Sequence, residues 1–235
     1  MTAPAPAAQD AMKRATAQRA VEEIADGMVL GLGSGSTAEL ALDALAARMA
    51  QGLRVAGIPT SERTAALARR LGIPLVDFSA HRRIDLAIDG ADQVERSTLN
   101  LLKGRGGALL REKIVASAAD RMIVVVDETK LVDRLGGAAA ALPVEIVAFG
   151  WQTVLERLAA IGCAPQLRLA ADRPFITDGG NYIADCVFAE GIDAPAIEAR
   201  LSAITGVVET GLFIGLAATV VVGRPSGVEV LRRKG

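Results

Sequence analysis

Soft metal ligands and disulfide partners are scarce in this chain, which has two cysteines, Cys163 and Cys186, and a single histidine, His81. Two cysteines are too few for a disulfide framework and read as buried thiols. With no second histidine and no cysteine pair at ligand spacing, a zinc site is not expected, and a Ser-His-Asp triad would need His81 as its base. His81 sits in the polar stretch Ser79-Ala-His-Arg-Arg83, which reads as an exposed loop.

An excess of either charge is also missing. Lys and Arg number 26 against 27 Asp and Glu, a formal net charge of -1. No global basic field points to nucleic acid or to an acidic membrane, so an anionic ligand must be small and held locally. Hydrophobic residues make up 51% of the chain, but in short runs broken by glycine, proline and charge. None approaches the roughly 18 consecutive apolar residues that a spanning helix needs. The start, MTAPAPAAQD, lacks a basic region followed by an apolar one and reads as a tail rather than a signal peptide. The expectation is a soluble, cytoplasmic protein whose length can hold one large domain or a main domain with a small second one.

What the sequence does have is a dense stretch from Asp85 to Lys113, where aspartates, lysines, a glycine cluster and Glu112 crowd together. Around it the chain reads mostly as scaffold. Residues Asp10 to Asp26 show helical spacing and carry Lys13 and Arg14. Gly27 to Leu32 reads as a buried strand running into Gly31-Leu-Gly-Ser-Gly-Ser-Thr37, with a helix from Ala38 to Ala50. Strand, glycine loop and helix in that order put free amide groups and the positive helix end at one point, which suits a phosphate. A dinucleotide fingerprint would need a third glycine where Ser36 stands and an acidic ribose clamp where Thr60-Ser61 stands; a P-loop would need a lysine at or beside Ser36. Neither pattern is met. The loop instead offers the hydroxyls of Ser34, Ser36 and Thr37 around Gly35, a fit for a monophosphate, although a helix N-cap accounts for Ser36 or Thr37 equally well.

Leu53 to Ile58 reads as the next strand, Pro59-Thr60-Ser61 as turn and cap, Glu62 to Leu71 as a helix, and Leu75-Val76 as a short strand. Ile84 to Ile88 follows and ends in Asp89-Gly90-Ala91-Asp92, a turn that sets two carboxylates at a strand's carboxyl end; Asp-Gly turns are equally common in solvated loops. Asp85, at the strand start, reads as scaffold. Lys103-Gly104-Arg105-Gly106-Gly107-Ala108 opens a helix from Leu109 to Ala119, with Glu112 near its first turn, where a carboxylate also suits the helix dipole alone. Met122 to Val126 is a strand leading to Asp127-Glu128-Thr129-Lys130. The alternation predicts a Rossmann-like, doubly wound, mostly parallel α/β sheet, with ligands at the carboxyl ends of the strands.

From Pro143 the pattern changes. Strands are expected at Val144–Phe149, Gln166–Leu169 and Val207–Phe213, and helices at Trp151–Ile161 and Pro195–Ile204. Phe175–Ile176 and Tyr182–Val187 read as a hairpin around Asp178-Gly-Gly-Asn181. This is the pattern of a ferredoxin-like, split β-α-β domain of the α+β class. Gly215 to Val222 and Val228 to Leu231 return to the first domain, and Arg232, Arg233 and Lys234 form a solvated end. The expected division is 1–142 with 214–235, and 143–213.

With those residues in place, the chain resembles ribose-5-phosphate isomerase of the A type. GLGSGSTA, the DGAD turn, LKGRGGALLREKIVA and DETK occur in family order and at family spacing. The resemblance implies interconversion of ribose 5-phosphate and ribulose 5-phosphate, in the non-oxidative pentose phosphate pathway, with no metal and no organic cofactor. It implies that Ser34, Gly35, Ser36 and Thr37 hold the substrate with Lys13 at the phosphate, and that Asp89, Gly90, Ala91 and Asp92 handle its hydroxyls. Lys103 with Gly104, Arg105 and Gly106 would face the reacting end, Lys130 would make a further contact, and Glu112 would be the base. Family members are homodimers or homotetramers, and the partner implied is a small sugar phosphate, not nucleic acid or membrane. Three departures stand out: Arg105 interrupts a run that often reads Gly-Gly-Gly, Gln93 stands where an acid is frequent, and Gly215-Leu-Ala-Ala replaces a more polar stretch near the C-terminal strands. The competing readings are a dinucleotide-dependent dehydrogenase, a sugar-phosphate-sensing regulator, which would also need a DNA-binding segment, and a related isomerase or amino-sugar deaminase.

Overall fold

The computed structural model describes residues 6–138 and 140–233. Residues 1–5 of the expected tail and Lys234 of the expected solvated end lie outside them. In chain order the elements are α1 (Pro6–Val21), β1 (Val29–Leu32), α2 (Ser36–Met49), β2 (Ala56–Pro59), α3 (Glu62–Arg70) and β3 (Leu86–Asp89). Then come β4 (Gln93–Glu95), β5 (Leu101–Leu102), α4 (Leu109–Ala118), β6 (Met122–Asp127), β7 (Leu131–Val132), β8 (Leu142–Ile146) and α5 (Trp151–Ala159). The last are β9 (Ala164–Leu167), β10 (Leu169–Ala170), β11 (Arg173–Pro174), β12 (Tyr182–Val187), α6 (Ala194–Ser202), β13 (Val207–Thr210), β14 (Leu212–Phe213), β15 (Ala217–Arg224) and β16 (Gly227–Arg232). The described residues of 1–91, 111–131 and 215–235 form one compact unit, and those of 92–110 and 132–214 a second.

The first unit holds a six-stranded sheet of order β16-β15-β6-β3-β1-β2, parallel except for β16. Its strands alternate faces. Leu30 and Leu32 of β1 join Ala17, Leu42 and Leu45 of the helices in one buried cluster. Between them, Gly31 faces the other way, where a side chain would collide with Val115 of α4 at 2.5 Å. Helices therefore cover both faces, as a doubly wound sheet requires. The chain leaves β1 for β2 on one side and later returns to β3 on the other, which makes the gap between the ends of β1 and β3 a topological switch point. Asp85 accepts the Val29 amide at 2.7 Å, joining the starts of two strands as scaffold. The expected strand at Leu75-Val76 shrinks to a single bridge between Gly57 and Leu75.

The second unit has a four-stranded antiparallel sheet of order β13-β8-β12-β9 with α5 and α6, the ferredoxin-like arrangement. Its core includes Leu142, Val144, Ile146, Leu158, Ala184 and both cysteines, Cys163 and Cys186. A second small sheet runs β14-β5-β4-β7. It groups 92–110 and 132–142 with this unit, whereas the sequence division kept them with the first domain.

Two further expected elements differ. The stretch Val207–Phe213 breaks into β13 and β14 at Gly211, whose amide bonds Pro143 O and whose carbonyl takes the Lys103 amide, both at 2.8 Å. The hairpin of 175–176 with 182–187 does not form, because both edges of β12 are already occupied by β8 and β9. Asp178-Gly-Gly-Asn181 is still a tight turn, closed from Thr177 N to Asn181 O at 2.9 Å. The buried Glu145 braces it by accepting from Thr177 Oγ1 at 2.8 Å and Asn181 Nδ2 at 3.0 Å.

The departure at Gln93 also has a physical reason. Its side-chain amide donates to Gly136 O at 3.1 Å and accepts from Gly136 N at 2.7 Å. A carboxylate could only accept.

Candidate active site

In the first unit, parallel register puts the carboxyl ends of β1, β2, β3 and β6 along one edge of the sheet, with Leu32 opposite Pro59 and Ile88, and Asp89 opposite Val124. The loops that leave this edge are 33–35, 60–61, 90–91 and 128–130. Ser34, Gly35, Ser36, Thr37, Asp89, Gly90, Ala91 and Lys130 are thus brought to one rim by backbone geometry alone.

The first loop is pinned to Asp89, which is 3% exposed. Asp89 Oδ1 accepts the Ser34 amide at 3.0 Å and the Gly90 amide at 2.7 Å. Gly33 makes the approach possible, since a side chain there would lie 2.5 Å from Asp89 Cα and Cγ. The glycine answers to packing against a carboxylate, not to a dinucleotide.

Helix α2 starts at Ser36, with Gly35 as its N-cap and no side chain capping it. Ser36 and Thr37 are therefore the first helical residues rather than caps, and the first-turn amides point out of the helix without intrahelical acceptors. Lys13 Nζ lies 3.4 Å from Ser36 Oγ and adds a cation there. Amides, hydroxyls, helix dipole and ammonium at one point suit an anion.

Ser34 behaves differently. Its hydroxyl has three hydroxyl neighbours, Thr60 and Ser61 at 2.8 Å and Thr64 at 2.9 Å. Its single proton can serve only one of them at a time. Thr60 goes on to Leu32 O and Thr64 to Gly33 O. Sequence reasoning took Thr60 and Ser61 only as turn and cap, and Thr64 carried no signal at all. Ser34→Ala is expected to cost about 1 kcal/mol of stability, seen as a lower urea midpoint, with little change in KM. Thr37→Ala should show the reverse, a raised KM at unchanged stability.

At the far strand, Asp127 is buried and accepts from Thr129 N at 3.0 Å, from Thr129 Oγ1 and from Gln9 Nε2 at 3.1 Å. Burial pushes its carboxyl up, but those hydrogen bonds and nearby Lys130 prevail and hold it below the usual carboxylate range. The turn carrying Lys130 is also tied by Arg224, whose Nη1 meets Glu128 at 3.0 Å. Glu112 lies in the first turn of α4 and is 6% exposed.

The second unit contains the remaining expected residues. Asp92 Oδ2 accepts the Arg105 amide at 3.0 Å, so carboxylate and glycine loop are joined. Arg105 itself is exposed and does not share the positive φ of Gly104 (99°) and Gly107 (82°), which is why a side chain is accommodated in the run. Gly106 is exposed beside it. Lys103 is 2% exposed, with Nζ 5.4 Å from the centre of the Phe213 ring.

Comparison with known proteins agrees with the sequence motifs. The family model for ribose 5-phosphate isomerase A (phosphoriboisomerase A) matches residues 56–227. The ribose-5-phosphate isomerase A of Gloeobacter violaceus is 51% identical over 222 residues, 94% of this chain and 96% of its own length. That of Gluconobacter oxydans is 51% identical over 220 residues, 92% of this chain and 94% of its own. The ribose 5-phosphate isomerase A structure from Methanocaldococcus jannaschii superposes with a TM-score of 0.91 at 41% identity, covering 96% of this chain and all (100%) of the other. A D-ribose-5-phosphate isomerase in complex with phospho-erythronic acid superposes with a TM-score of 0.91 at 39% identity, covering 95% and 99% of the two chains. Motifs, fold and relatives together make this chain a member of the ribose 5-phosphate isomerase A family.

Proposed function

We propose that the protein interconverts D-ribose 5-phosphate and D-ribulose 5-phosphate through an enediolate, with Glu112 moving the proton. The observation that carries this reading is a buried carboxylate in the first turn of the helix that the second glycine loop opens, within a family of known activity. The relative in complex with phospho-erythronic acid adds support: that ligand has a phosphate and a planar carboxylate, the charge pattern of an enediolate sugar phosphate.

In this scheme Ser36, Thr37 and Lys13 grip the phosphate, and its binding energy holds the reacting carbons in place. Asp89 and Asp92, each fixed by backbone amides, orient the hydroxyls and assist ring opening, and Lys130 makes a further substrate contact. Glu112 takes the proton from C2 of the open aldehyde while the C1 oxygen becomes anionic. The same carboxylate returns the proton to C1 as the C2 hydroxyl proton passes to the C1 oxygen, leaving a ketone at C2 and a hydroxyl at C1. Lys103 and the amides of its loop stabilise the oxyanion. All of these groups come from the protein, so no metal or organic cofactor is required by the scheme. A homodimer or homotetramer in the cytoplasm belongs to the same reading.

Turnover of ribose 5-phosphate beside a panel of other aldose and amino-sugar phosphates tests it, before and after exhaustive dialysis against a chelator. The expected result is preference for ribose 5-phosphate with activity unchanged by dialysis. Turnover of an amino-sugar phosphate alone would replace the reading, and a loss restored by added metal would overturn its cofactor-free form.

A further inference from the structure

We propose that Arg168 is a positioning residue for the glycine loop 103–107, acting through the loop's carbonyl groups. The inference rests on the isomerase reading for its kinetic consequence but not for its structural one.

Arg168 follows β9 and is held on both sides by backbone, its amide donating to Ile183 O at 2.8 Å and its carbonyl accepting from Phe175 N at 2.9 Å. Its side chain is 15% exposed. Nε donates to Asp185 Oδ2 at 2.8 Å and Nη2 to Asp185 Oδ1, a two-pronged pair that fixes the plane of the guanidinium. The remaining nitrogen, Nη1, donates to Gly104 O at 3.1 Å and Arg105 O at 3.0 Å. Phe175 lies under the guanidinium, 5.9 Å from ring centre to Cζ, and its ring would be struck at 2.5 Å by a side chain on Gly107.

The consequence follows from peptide planarity. A carbonyl held toward Arg168 turns the amide of the same peptide group the opposite way. Capturing the carbonyl of Gly104 therefore aims the Arg105 amide, which is the one that reaches Asp92. Capturing the carbonyl of Arg105 aims the Gly106 amide in the same manner. One arginine thus sets the direction of two successive amides next to Lys103. A lysine could not do this, because the task needs a planar fork that serves a carboxylate and two carbonyls together.

The test compares Arg168→Ala, Arg168→Lys and Asp185→Asn with the wild-type protein. Hydrogen exchange should quicken in the amides of 104–107 in all three, with β8 and β12 unchanged. Kinetically, Arg168→Ala should lower kcat for ribose 5-phosphate about 100-fold, the cost of a misplacement near 1 Å, with KM nearly constant. Free guanidinium ion at millimolar concentration should restore part of that loss, and Arg168→Lys should not recover it. Unchanged loop exchange, or a folded Arg168→Ala with wild-type kcat, overturns the proposal. If Arg168→Ala does not fold, Asp185→Asn decides by the same two readouts. A wild-type protein inert toward ribose 5-phosphate would sink the isomerase reading instead, and the exchange result would still judge the positioning role.

Discussion

Glu112→Gln should lower kcat for ribose 5-phosphate by about 10²–10⁴-fold, the usual worth of a positioned general base, while the variant folds and still binds the sugar phosphate. The replacement has nearly the same shape and stays in the first turn of α4, where the carboxylate is 6% exposed. It keeps an acceptor and adds a donor but cannot take a proton from carbon. Binding measured by calorimetry should therefore stay close to wild type, since the phosphate grip proposed for Ser36, Thr37 and Lys13 is untouched. Deuterium exchange into C2 of the substrate from labelled water should fall with kcat, because both report the same proton transfer. Wild-type turnover in this variant would remove Glu112 from the role of base. Exchange lost with binding also lost would point to a structural role instead.

The parts of the site that could be read from sequence are those whose geometry is local. A strand that runs into a glycine loop and then a helix carries its own instructions, as at Ser34 and Lys103, and the turn at Asp89 was legible beside them because each lies within a few residues of its strand or helix. Parallel register then gathers the loops of β1, β2, β3 and β6 without any further signal. What could not be read is what holds the loops. The hydroxyl cluster around Ser34 joins residues 26 to 30 positions apart, and Arg168 reaches carbonyls 63 and 64 positions away. Serine and threonine beside a turn look like caps, and an arginine beside an edge strand looks like a solvated charge. Strands of two residues, such as β5, β7 and β14, are too short to show a period at all. The failed hairpin has a related cause: Asp-Gly-Gly-Asn does turn the chain, but turn chemistry does not say which strand edges are already taken.

The second large effect is expected at Lys103. Lys103→Met should lower kcat by about 10²–10³-fold, the typical loss when an oxyanion donor is removed, with a much smaller change in KM. Methionine is chosen because the lysine stem is buried, its ammonium facing the Phe213 ring, and an unbranched apolar chain preserves that packing while deleting the charge. The backbone is not at risk, since the Lys103 amide is bonded to Gly211 O at 2.8 Å regardless of side chain. Lys103→Arg offers the second arm: it restores a cation but adds a planar head in a site that is 2% exposed, so recovery should be small. The kinetic split locates the charge along the substrate. A loss in kcat alone assigns the ammonium to the carbonyl end, where negative charge exists only while the proton is in transit. A raised KM with kcat preserved would assign it to the phosphate, which is charged throughout, and would leave the loop amides to stabilise the enediolate by themselves.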